Sequence, residues 1–401
     1  MKNLKNSMYS SVRSTFFVIS LLAFLIASCS SDQLDTSKEF KEAASQYHLL
    51  KANVGGKDVF PKSFDEQDQE VKVSGSEWWC SGFYPGTLLY LYEETKDEVL
   101  YEEALRMLRL LEKEQFNTTT HDLGFMMFCS FGNAYRLDPK PEYKEIMINS
   151  ARSLASRFDP TVGCIRSWDS RNPNTFIVIV DNMMTLELLF WASEVTGDKS
   201  FYDIAVTHAN TTMKHHFRPD KSSFHLVVYD GQTGQVSEQK TFQGFADGSA
   251  WARGQAWGLY GYTTTYRLTK DKKYLDMAVD IAEFILNHPN LPDDMIPYWD
   301  FDAPDIPNAL RDASAGAINC SALLELQNYV DGDKAARYAA AAKTMLNSLS
   351  VAPYKAEPGM SGGFILKHSV GHLPGNSEVD VSLSYADYYY IEALKRIKEN
   401  K

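Results

Sequence analysis

Cysteine is scarce in this chain, five among 401 residues, and the five are scattered. Cys29, Cys80, Cys129, Cys164 and Cys320 form no C-x-x-C pair and have no histidine at zinc-ligand spacing, so a thiolate metal site is not expected. The last four read as isolated buried thiols; nothing in their spacing demands a disulfide. Basic blocks are absent too. No run of five Lys or Arg occurs, and 40 basic against 52 acidic side chains leave a formal charge of −12. A duplex nucleic acid needs a positive footprint, so that partner class is excluded. An anionic small substrate stays open if local cations in a pocket work against the overall field. Long apolar runs are also missing: residues 16–27 are too few to span a bilayer.

That short run has a meaning of its own. Lys2, Lys5 and Arg13 precede it, and Ile26-Ala27-Ser28-Cys29 ends it. A positive start, an apolar middle and small residues at the end read as a signal peptide over residues 1–28. The ending resembles a bacterial lipobox, in which Cys29 is lipidated after cleavage; an ordinary secretory peptide is the plainer alternative. Residues 29–37 then read as a polar tether and 38–401 as the folded domain, exported to the periplasm or anchored at the outer membrane. With 44% hydrophobic and 13% aromatic residues, that domain can bury a large core.

A short punctuation mark recurs along it. Thr95-Lys96-Asp97, Leu137-Asp138-Pro139, Thr196-Gly197-Asp198, Thr269-Lys270-Asp271 and Asp331-Gly332-Asp333 each end an apolar stretch and open an amphipathic one. Gly, Asp or Pro just past one periodic run and before another is helix–turn–helix chemistry. The stretches before the marks are aromatic and Met-rich, as in Phe125-Met126-Met127-Phe128; those after carry more charge. Buried inner helices and striped outer ones follow. A last helix over residues 385–397 pairs with a first over 38–52, giving six inner and six outer helices. The expected fold is all-α, six hairpins closed into an (α/α)6 toroid, with strands confined to short insertions such as residues 225–229.

Trp79, Asp122, Asp181 and Arg253 each precede their mark by one helix length, roughly 23 Å at about 1.5 Å per residue. Parallel inner helices would gather all four at one mouth, where helix N-termini favour an anionic ligand. Asp181 lies in an almost uncharged stretch, residues 176–191; burial there would raise its pKa toward that of a general acid. An N-cap is the plainer role for Asp181, and equally for Asp122. Trp78, Trp79 and Trp257 suit sugar stacking or simple core packing. Arg253 and His225 suit a carboxylate, with a surface ion pair the alternative for Arg253.

Trp79-x-Ser81-Gly82-Phe83-x-Pro85-Gly86, His121-Asp122-x-Gly124-Phe125 and Asp181-Asn182-Met183-Met184 resemble glycoside hydrolase family 88, which contains the unsaturated glucuronyl hydrolases. The run from Gln243-Gly244 through Trp251-Ala252-Arg253-Gly254-Gln255-Ala256-Trp257-Gly258 is the most specific match, and Glu378-Val379-Asp380 with Ser384-Tyr385 also fits. The resemblance implies an (α/α)6 toroid that removes a 4,5-unsaturated uronic acid from lyase-made glycosaminoglycan fragments, with neither metal nor organic cofactor. By that match Asp181 protonates C4 of the alkene, and Asp122 holds the substrate and Asp181 in place. His225, Thr241, Gln243, Arg253 and Trp257 would contact the unsaturated ring, with Trp79 lining the pocket. One departure stands out: Phe242 occupies a position where the family commonly has histidine. The loop 368–374 lies where the family reads sulfate, making Lys367 and His372 candidates for that contact. Two other readings are an unsaturated rhamnogalacturonyl hydrolase acting on pectin fragments and a non-catalytic glycan-binding lipoprotein.

Overall fold

The computed structural model describes residues 34–400; the expected signal peptide, Cys29 and the start of the tether lie outside the described residues. The first helix, α1 (Thr36–Val54), begins two residues inside the expected tether. Five hairpins follow. Inner helices are α2 (Phe83–Thr95), a π-helical stretch Gly124–Gly132 running into α4 (Asn133–Leu137), α6 (Leu186–Thr196), α8 (Ala252–Thr269) and α10 (Ala313–Leu326). Their outer partners are α3 (Glu98–Leu111), α5 (Pro141–Ala155), α7 (Lys199–His215), α9 (Lys272–Asn287) and α11 (Gly332–Leu349). A sixth inner helix, α12 (Ser384–Glu399), packs on α1. Each inner helix touches the next, and α12 returns to α2, so the toroid is closed.

Three of the five punctuation marks act through side-chain capping; those at 137–139 and 331–333 do not. Lys96, Gly197 and Lys270 adopt left-handed backbone with φ of 59°, 75° and 57° and end α2, α6 and α8. Asp97, Asp198 and Asp271 then accept backbone N–H groups and open α3, α7 and α9, satisfying donors that a helix start leaves free. At the other end of the ring, α2, α6, α8 and α12 start without a side-chain cap. Their N-termini all open toward one mouth.

Two small sheets and a hairpin decorate that mouth. β1 (Phe60–Asp65) pairs with β2 (Glu70–Ser74) and with β8 (Ser382–Leu383), just before α12. β5 (Thr175–Ile179), β6 (Leu226–Asp230) and β7 (Val236–Lys240) form the second sheet, and β3 (Phe158–Asp159) with β4 (Cys164–Ile165) the hairpin. Only the β6 segment was expected from the sequence. Cys80, Cys129, Cys164 and Cys320 are buried free thiols. Among the described residues, no helix is long and apolar enough to cross a membrane.

An aromatic floor crosses the ring midway. Trp257 is fully buried, its ring 5.1 Å from Phe125 and 5.5 Å from Tyr389. On the far side a cavity of about 470 Å³ opens, lined by an ion network. Arg267 bridges Glu187 at 2.5 Å and Glu325 at 3.2 Å, while Arg396 bridges Glu325 at 3.1 Å. Glu392 accepts from Tyr260 at 3.1 Å and from Ser321. These pairings tie α6, α8, α10 and α12 together at that end of the ring.

Candidate active site

On the near side a cavity of about 370 Å³ gathers Trp79, Asp122, Asp181, Gln243 and Arg253. Strand pairing delivers the central pair. Ile179 of β5 faces Leu226 of β6, and the Val180 N–H donates to the His225 carbonyl at 2.9 Å. Asp181 and His225 therefore leave adjacent strand ends side by side. His225 Nδ1 accepts the N–H groups of Phe242 and Gln243, both at 3.1 Å. That fixes the tautomer: the proton sits on Nε2, 3.7 Å from Asp181 Oδ2. Burial, reinforced by the Arg253 charge, holds the His225 pKa well below its ordinary value. The ring is neutral at pH 7.

Asp181 sits inside a short 3-10 turn, Val180–Thr185, whose start is marked by Ile179 without a side-chain cap. The capping role is not realised. Its Oδ2 is buried and has no hydrogen-bond partner. Burial pushes the carboxyl up to about 7; Arg253 pulls the other way, and the Asp122 charge adds to the rise. The Trp257 indole N–H falls short of a formed hydrogen bond, yet also favours the ionised form. Asp122 is held differently: Thr120 Oγ1 donates to Oδ2 at 2.8 Å, and His121 Nε2 lies 3.2 Å from Oδ1. Gly124 brings the two aspartate segments together, because a Cβ there would fall 2.4 Å from the Thr185 Cα.

Arg253 opens α8 and is 1% exposed, so the surface ion-pair alternative fails. Its guanidinium meets Asp312 Oδ2 at 3.1 Å and donates to the Val370 carbonyl and, at 2.6 Å, to that of Gly371. The Trp251 and Tyr385 rings lie 4.6 and 5.4 Å from its centre. Gln243 Nε2 donates to the same Gly371 carbonyl at 2.9 Å. Nε of Arg253 has no partner, which leaves a buried N–H for an incoming acceptor.

Other expected residues fall elsewhere. Thr241 does not line the cavity: its hydroxyl accepts the Gly244 N–H at 2.8 Å and folds the loop. Trp257 forms the floor and His225 stands behind Asp181. His372 lines the cavity, whereas Lys367 does not. Sequence reasoning missed Asp312, which caps α10 through Ser314 and also anchors Arg253. It assigned no role to Trp168 or Glu378, which line the mouth. The cap was legible as Asp before Ala-Ser; the contact with Arg253, 59 residues away, was not. A raised pKa alone would have misled, since burial also raises Asp387 to about 7. Asp387 lines no part of this cavity; it accepts the Ile365 and Leu366 N–H groups and supports the loop that reaches Gly371.

The profile of Glycosyl Hydrolase Family 88 matches residues 57–267. An unsaturated glucuronyl hydrolase from Formosa agariphila is 44% identical over 388 residues, covering 94% of this chain and 96% of the relative. An unsaturated chondroitin disaccharide hydrolase from Streptococcus pneumoniae is 34% identical, covering 82% and 84%. Among solved structures, an unsaturated glucuronyl hydrolase specific for heparin superposes with a TM-score of 0.86 at 46% identity, covering 90% of this chain and 97% of that one. The enzyme from Streptococcus agalactiae gives 0.86 at 31%, covering 92% and 94%. With its toroid, its cavity and these relatives in agreement, the chain belongs to glycoside hydrolase family 88 and is a glycosidase.

Proposed function

We propose that the near cavity hydrates the C4=C5 double bond of a 4,5-unsaturated uronic acid at the non-reducing end of lyase-made glycosaminoglycan fragments. The observation that carries this reading is Asp181: a carboxyl 13% exposed, its buried Oδ2 without a partner, still half protonated near pH 7. An alkene conjugated to a carboxylate and bearing a ring oxygen is protonated at C4 by such an acid. Water then adds at C5 and returns a proton to Asp181. The resulting hemiketal opens to a C5 ketone, and the C1 hemiacetal releases the second sugar as an alcohol. No group attacks C1, so the spacing of the two carboxylates carries no stereochemical message. The substrate carboxylate fits the buried cation and free N–H of Arg253, and Asp122 braces the ring. The names of the relatives support glycosaminoglycan fragments over pectin, and the heparin-specific structure at 46% identity supports a heparin-type fragment.

Defined unsaturated disaccharides of heparin, chondroitin and pectin type, assayed side by side for loss of the conjugated alkene absorbance, test this directly. Loss of absorbance with the glycosaminoglycan disaccharides is expected. Turnover of the pectin type alone would redirect the assignment, and binding without loss of absorbance would remove the catalytic reading. We also infer, from residues 1–28 and Cys29 alone, an exported and lipid-anchored form. A Cys29→Ser chain is expected to leave the membrane fraction on cell fractionation; unchanged partition would refute the anchor.

A further inference from the structure

Phe242 is a large aromatic side chain left 51% exposed at the cavity mouth. Its backbone is pinned on both sides: the N–H donates to His225 Nδ1 at 3.1 Å, and the carbonyl accepts from His372 Nε2 at 3.0 Å. The ring is braced as well. Trp168 meets it edge-on at 5.1 Å, and the His372 ring lies 4.6 Å away at 38°. Aromatic clusters of this geometry are normally buried, where they gain the most. Here the cluster is held rigid with one face open. Its location says for what. His225, which fixes the Phe242 N–H, also faces Asp181, and the floor beneath the cavity is closed. A substrate with its alkene at Asp181 extends outward through the mouth that this ring helps to line.

We propose that Phe242 is a specificity-determining residue for the leaving sugar, a platform on which the apolar C–H face of the second ring stacks. The proposal rests on the glycosidase reading given above. A phenyl ring offers neither donor nor acceptor. It therefore reads the shape of the second sugar and is indifferent to the orientation of a single hydroxyl. Rigid attachment through two backbone hydrogen bonds keeps the ordering cost of binding low.

The experiment compares kcat/KM for an unsaturated heparin-type disaccharide and for the methyl glycoside of the same unsaturated uronate, in wild type, Phe242→Ala and Phe242→Tyr. The preference for the disaccharide should fall about tenfold in Phe242→Ala, chiefly through KM, which matches a loss of about 1.4 kcal/mol. Phe242→Tyr, which keeps the ring, should retain the preference. A preference unchanged in Phe242→Ala overturns the platform. So does an equal fall for both substrates, which is the signature of a disturbed His225. Wild type that consumes neither substrate would sink the glycosidase reading instead, so the two failures are distinguishable.

Discussion

Asp181→Asn should lower kcat by about a thousandfold or more while raising thermal stability at alkaline pH. The rate loss follows from removing the proton donor, a contribution of about 10²–10⁴ in general acid catalysis. The stability gain follows from the same burial. The Asp181 pKa rises from 3.8 to about 7 on folding, so the native state keeps a proton that the unfolded chain has lost. Stability attributable to this group falls as pH climbs from about 4 to 7 and stays low above. An amide needs no such proton. The variant's advantage should therefore be absent near pH 4 and reach about 4 kcal/mol above pH 7, at about 1.36 kcal/mol per pKa unit. Asp387 titrates in the same range, but it is present in both proteins and cancels in the difference. Melting curves at pH 4 and pH 8 measure the effect; equal differences at the two pH values would refute the buried-acid account. In wild type, kcat/KM should decline tenfold per unit above about pH 7. The bound carboxylate adds negative charge beside Asp181, so the limb in kcat should lie at higher pH.

Arg253→Met should cost both function and fold, and the two losses can be separated. Asp312 is fully buried against the guanidinium; stranding it should destabilise the protein by about 3–5 kcal/mol. The substrate carboxylate loses its cation, and kcat/KM should fall by about two to three orders of magnitude, mostly in KM. Adding Asp312→Asn removes the stranded charge, so the double variant should regain stability without regaining activity. Arg253 also holds the Asp181 pKa down, and its loss should move the pH limb of residual activity upward. A double variant that recovers full activity would show that Arg253 only supports the fold.

Much of this toroid was legible in the sequence because its turns obey local rules. Lys96-Asp97, Gly197-Asp198 and Lys270-Asp271 each pair a left-handed residue with a capping aspartate, and both preferences act within a few bonds. The β1–β2 hairpin was not legible: Phe60-Pro61-Lys62-Ser63 has neither clean alternation nor a Pro-free strand pattern. β5 was hidden for the opposite reason, since the apolar run before Asp181 reads equally as a buried helix start. The site shows the same divide. Asp122, Asp181 and Arg253 were placed near one mouth by helix length, and the resemblance of their motifs to the family gave them roles. Trp168 was not, because it arrives through an isolated bridge to Ile177, and the neighbouring Ser167 hydroxyl donates to Asn182. Thr241 was assigned to the substrate by resemblance; that its hydroxyl accepts the Gly244 N–H and folds its own loop is a contact that spacing cannot reveal.

The layer of Phe125, Trp257 and Tyr389 across the bore has a consequence for the order of events. A polymer cannot thread a ring that is stoppered halfway, so only a terminus can be presented to Asp181. Each visit then trims a single residue, and the clipped monosaccharide must back out through the entrance before the next chain end is admitted. A fragment is therefore shortened once, at its tip, because the saturated sugar then exposed offers Asp181 no alkene to protonate, however long the chain outside.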